Sequence, residues 1–129
     1  MKTTKKHFEI FKAECEKWID IFGLKDYEFH FEHKAVGDEN IAECCRNSTS
    51  RTARLSLCKV WPEYSMVALT DYNVKTSAFE EVCHVLLYSL SSCAYSRHIM
   101  EHEIDEAEHG IIKTLQNVLY LKYQGNNGT

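Results

Sequence analysis

The chain has 129 residues, 44% of them hydrophobic, and a formal charge of -4. That length supports one domain with its own core and is short for two. The negative balance argues against binding duplex nucleic acid, and no apolar run approaches the roughly 20 residues of a membrane-spanning helix.

Lysines follow Met1, but no apolar segment stands behind them. The expectation is a soluble, unexported, cytoplasmic protein with no membrane partner. The six cysteines, Cys15, Cys44, Cys45, Cys58, Cys83 and Cys93, form no CxxC pair, which favours free thiols over a disulfide framework. Cys15, Cys83 and Cys93 fall in line with apolar helical positions, where a thiol packs as a small hydrophobe.

Over residues 4–22, Phe8, Phe11, Cys15, Trp18 and Phe22 recur at steps of three and four. This predicts an amphipathic helix, with Gly23 placed to cap it in the left-handed region. The period then changes to two. Tyr27, Phe29, Phe31 and His33 share one side of a predicted strand, and Glu28, His30 and Glu32 the other. A turn at Val36-Gly37-Asp38-Glu39, a short strand over residues 40–45 and a turn-rich stretch at Arg46-Asn47-Ser48-Thr49-Ser50 follow. Thr52 to Val60 reads as a third strand, with Ala53, Leu55 and Leu57 alternating against Arg54, Ser56 and Cys58. Strands so close in sequence predict a largely antiparallel meander.

Trp61-Pro62 ends that strand. A central helix is predicted over 74–93, with Phe79, Val82, Cys83, Leu86, Leu90 and Cys93 as its apolar stripe, and a closing helix over 97–123. The fold class expected is α+β, a single domain of leading helix, three-stranded meander, central helix and closing helix.

The central helix carries Glu80-Glu81-Val82-Cys83-His84. This is one letter from H-E-x-x-H, in which two histidines one turn apart hold zinc and the glutamate acts as general base. Glu81 and His84 stand at the base and second-ligand positions, and Glu80 replaces the first histidine. Residues four apart share a helix face, so Glu80 and His84 can reach one cation. A carboxylate in place of an imidazole hardens the donor set and shifts preference from zinc toward iron or manganese. Glu80 also has a structural alternative. If the helix begins at Ser77, Ser77-Ala78-Phe79-Glu80 is a capping box; if it begins near Asp71 or Asn73, Glu80 is free to act as a ligand.

In the closing helix, Ile104, Glu108, Ile111, Leu115 and Val118 place a carboxylate within an apolar seam. A buried charge requires a partner, and the candidates for Glu108 are a metal ion, His84 or Arg54. His98, His102, Glu106 and His109 read as a solvated helix face. His30 and His33 lie on opposite faces of the first strand and cannot share an ion. Cys83 lies among apolar residues, which argues against Cys-His nucleophilic catalysis.

These elements resemble the small phage-type and SprT-like metallopeptidases, minimal members of the zincin group. The resemblance covers about residues 8–120. It is carried by the Tyr27–Phe31 strand, Ala53-Arg54-Leu55-Ser56-Leu57, Glu81 through Leu87, and Glu108-His109-Gly110-Ile111-Ile112-Lys113-Thr114-Leu115-Gln116-Asn117. It implies a helix-and-meander fold, Glu81 as base, and His84 and Glu108 as metal ligands, with zinc as the family's ion. Glu80 departs from the pattern, so the site would hold no metal, or a divalent ion weakly. The implied function is a pseudo-metallopeptidase, phage-derived and resident in host cytoplasm, that binds a protein partner such as a host or defence component. The alternative is an active hydrolase with Glu80, His84 and Glu108 as ligands.

Overall fold

The computed structural model describes residues 1–37, 40–47, 49–63, 66–96, 98–120 and 122. The Asp38-Glu39 part of the predicted turn, Ser48, and the closing helix beyond Lys122 lie outside them. Among the described residues the chain forms four α-helices and a three-stranded mixed sheet, an α+β arrangement. Among the described residues no helix is long and apolar enough to cross a membrane.

Helix α1 spans Lys5–Phe22. Thr4 caps it, accepting from the His7 amide while the His7 ring accepts from the Thr4 amide, and Gly23 at φ 67° closes it as predicted. Strands β1 (Glu28–His33), β2 (Ala42–Asn47) and β3 (Thr52–Leu57) follow. Their order is β1-β3-β2, with β1 parallel to β3 and β2 antiparallel to it. The expected meander is therefore corrected: only β2 and β3 form a hairpin, and β3 inserts between its two predecessors.

The reason lies in burial. Leu55 and Leu57 are 0% exposed and Ala53 is also buried, whereas β1 and β2 carry Glu28, His30, Glu32, Glu43 and Arg46. The most apolar strand takes the centre, and the charged ones blunt the edges. The connection from β1 to β2 meets the end of β3 on both sides. Lys34 N donates to Leu57 O at 3.1 Å and Cys58 N to Ile41 O at 2.9 Å. Within this loop the Gly37 amide donates to Glu43 Oε1 at 2.8 Å, and a Cβ at Gly37 would meet the Asn40 side chain at 3.0 Å.

Both large helices cover one face of the sheet. α1 lies over β1, with Phe8 stacked on His33 and Lys12 over the Phe31 ring. Helix α2 (Asp71–Leu86) packs on α1 and β2. Phe11 and Cys15 of α1 meet Val74, Ala78 and Val82 of α2 in the core above β3. The stripe expected on the central helix is rotated: Val74, Ala78, Val82 and Val85 are buried, and Phe79 is 38% exposed. The helix also breaks at Leu87, giving α3 (Tyr88–Ala94) instead of one element to residue 93. At the break Arg46 Nη1 donates to the His84 carbonyl at 2.6 Å. That carbonyl is the acceptor a continuous helix would offer to Tyr88. Helix α4 (Glu101–Leu115) runs into a π-helical turn at Gln116–Tyr120, so the closing helix begins later than predicted.

The stretch before α1 clasps the far end of β3. Lys2 pairs with Val60, and the buried Thr3 hydroxyl donates to Cys58 O at 2.5 Å. A hydroxyl has one proton, so His33 Nε2, 2.6 Å away, is the donor in its contact with Thr3. Burial, then Lys59, holds the His33 pKa below its usual value, with His7 adding to the effect and the Cys58 carbonyl opposing it. A histidine lowered on folding stabilises the fold above its unfolded pKa of about 6.5, and that contribution is lost as pH falls. Thr3→Val should cost about 1–3 kcal/mol in urea unfolding at pH 7.5. The stability advantage of wild type over His33→Gln should shrink between pH 7 and 5, and an advantage that grows over that range would contradict the clasp.

Candidate functional site

Helix α2 begins well before the motif. Thr70 is its N-cap, accepting from the Asn73 amide at 3.1 Å. Ser77 lies in the second turn and donates back to the Asn73 carbonyl at 2.9 Å. The capping-box alternative at Ser77–Glu80 is thereby excluded, and Glu80 is an exposed mid-helix side chain.

Packing then sets the rotation of the motif. With Val74, Ala78 and Val85 turned to the core, Glu81 falls seven residues after Val74 and four before Val85, inside the buried stripe. Glu80 and His84 flank it on the side facing β2. These side chains and Ser77 form one wall of a cleft of about 430 Å³. The other wall is Asn40, Ile41 and the β2 residues Ala42, Glu43, Cys44 and Arg46.

Glu81 is 8% exposed. Burial, then the neighbouring Glu80 carboxylate, pushes its pKa from 4.5 to about 7, with Glu43 acting in the same direction and Arg46 against it. A carboxyl poised there exchanges protons near neutral pH, the property required of a general base. Arg46 is drawn to the end of α2, where its guanidinium carbon lies 4.5 Å from the Tyr88 ring centroid. Cys44 beneath the cleft is not a ready nucleophile, because burial raises its thiol to about 12. Burial and then Glu80 also raise the Cys83 thiol, in keeping with a packing role. All six cysteines are free.

The structure brings Glu80, Glu81 and His84 to one cleft but does not add Glu108 to its lining. Glu108 is exposed on α4, contrary to the buried seam position expected from its spacing. α4 buries only Ile111 among its residues, so a seam position on this helix remains open to water. Arg54, the cationic alternative for Glu108, pairs with Glu32 at 3.2 Å. His98, His102, Glu106 and His109 are exposed. His30 lies 3.5 Å from Glu28 on the open face of the sheet, while His33 points to α1. Among the described residues, no group of three or more His, Cys, Asp or Glu is placed to hold a metal ion. The donors among the described residues do not fit the three-ligand zinc site that the resemblance implies.

Two features depart from the sequence expectation. Arg46, expected in a loop, ends the helix-facing row of β2, a position that the alternation of Ala42, Cys44 and Arg46 signals. The buried carboxylate, expected at Glu108, is Glu81, and the series Val74, Ala78, Glu81, Val85 carries the same signal on α2. Comparison with protein-family models, with curated proteins and with solved structures finds no match.

A carboxyl whose pKa rises on folding stabilises the protein while protonated, and this contribution is lost as pH climbs through the folded pKa. For Glu81, a rise from 4.5 to about 7 amounts to about 3 kcal/mol on full ionisation. Glu81→Gln should therefore match wild type in urea unfolding at pH 3.5, below the unfolded pKa, and exceed it at pH 8.5. A variant no more stable than wild type at pH 8.5 would show that Glu81 ionises without penalty.

Proposed function

We propose that the chain is a catalytically degenerate zincin-like protein, a pseudo-metallopeptidase of phage origin, that acts by binding a macromolecular partner such as a host or defence component. The phage origin, the host cytoplasm as its location and the class of partner come from the resemblance of the motif helix and closing helix. The observation that carries the reading is the position of Glu80. It is free of any capping role and opens onto the same cleft as Glu81 and His84, where an active zincin helix would present its first imidazole. Two adjacent carboxylates favour a bound cation but acidify a metal-bound water less than neutral imidazoles do.

One observation favours a second reading, an active metal-dependent hydrolase with Glu80, His84 and Glu108 as ligands. Glu81 is held near neutrality one helical turn from His84, as a general base would be. That reading requires the exposed Glu108 to reach the cleft.

Elemental analysis of the purified protein separates the two. The degenerate reading expects less than stoichiometric zinc, iron or manganese in the native chain and a gain of zinc in Glu80→His. Stoichiometric metal that disappears in His84→Ala, together with peptide hydrolysis lost in Glu81→Gln, would establish the hydrolase instead.

A further inference from the structure

Two features of the cleft are left open by the chain itself. The first is Glu81, which lines the cleft, is 8% exposed, and forms no hydrogen bond or ion pair among the described residues. Its carboxyl oxygens are reached from the cleft rather than sealed in the core, so they are open to a donor from outside. Arg46 is in the lining, but its guanidinium is committed to the His84 carbonyl and the Tyr88 ring. Glu43 is held by the Gly37 amide.

The second is the outer edge of β2, which has no strand neighbour among the described residues. Cys58 N donates to Ile41 O, so residue 41 is a hydrogen-bonded position of the β2–β3 ladder. Antiparallel pairing alternates, and the main-chain groups of Ala42, Cys44 and Arg46 therefore point away from β3. Those residues also line the cleft. A strand edge in this state is a template for an added strand, and Glu80 and Glu81 stand across the cleft from it.

We propose that the cleft recognises a lysine or arginine side chain of an extended protein segment that adds as a strand to the outer edge of β2. This rests on the partner-binding reading above and specifies the chemistry of the partner. The choice of a basic side chain follows from charge complementarity. An apolar side chain would cover Glu81 without supplying a donor, a neutral polar one would leave the repulsion between Glu80 and Glu81 in place, and an acidic one would bring another carboxylate to them. A cation satisfies both glutamates at once and relieves the repulsion between them.

The test uses the full chain and blocked ten-residue peptides of alternating Thr and Ser, with Lys, norleucine or Glu at the centre, followed by fluorescence anisotropy. The Lys peptide should bind roughly ten-fold or more tightly than the norleucine peptide, and the Glu peptide more weakly than either. In the Glu80→Gln/Glu81→Gln variant the Lys and norleucine peptides should bind equally. Alternate N-methylation of the Lys peptide along its docking edge should abolish binding without altering the protein. Equal binding of the Lys and norleucine peptides to wild type would overturn charge recognition while leaving partner binding intact. Methylation of the opposite edge should leave binding intact, and binding that survives methylation of each edge in turn would overturn strand addition. Failure of all three peptides to bind would overturn the proposal as a whole. Metal stoichiometry tests the degenerate reading separately.

Discussion

The burial of β3 is the constraint on which the rest of the structure depends. Leu55 and Leu57 have no exposed surface, and the helix side of this strand must be covered by apolar residues from both large helices. Each such side chain contributes about 1.5–3 kcal/mol when fully buried, so the helices have little freedom in how they turn. α1 presents Phe11 and Cys15, and α2 presents Val74, Ala78 and Val82. Once those positions are fixed, the remaining side chains of α2 are fixed with them, and Glu81 is carried inward along with its apolar neighbours.

The properties of the cleft follow from that rotation. A carboxyl drawn into the core loses hydration, and its nearest ionised neighbour on the same helix is another carboxylate. Both effects favour the protonated form. The available cation, Arg46, is used at the junction of α2 and α3, where it donates to the His84 carbonyl and lies over the Tyr88 ring. The outcome is a polar cleft with a buried acid on one wall and an unpaired strand edge on the other. Strand order matters as much as helix rotation here, because β3 in the centre leaves β2 at the edge beside α2.

The second end of β3 is secured differently. Beyond Leu57 the chain continues as Cys58 and Lys59, whose carbonyls are met by Thr3, while the connection from β1 to β2 supplies Ile41 on the other side. These backbone bonds extend the order of the sheet past its last ladder pair and tie the start of α1 to the central strand. The cleft and this clasp carry titrating groups of opposite effect. Acid weakens the contribution of His33, and base weakens that of Glu81.

Much of the local structure was legible in the sequence because short-range chemistry decides it. The three-and-four spacing of Phe8, Phe11, Cys15, Trp18 and Phe22 specified α1, Gly23 specified its end, and the alternation of Ala53, Leu55 and Leu57 specified β3 and its buried face. The motif pattern likewise placed Glu80, Glu81 and His84 near one another. Tertiary structure alone decided three things. Periodicity reports which face of a strand is buried but not which strand lies beside it, so the meander gave way to a β1-β3-β2 sheet once the apolar strand took the centre. Several apolar stripes can be drawn on one helix, and packing on α1 and the sheet buried Val74, Ala78 and Val85 while leaving Phe79 at the rim against Trp18 and Phe22, so the buried carboxylate is Glu81. A seam position is buried only where something covers it, and among the described residues Glu108 is exposed.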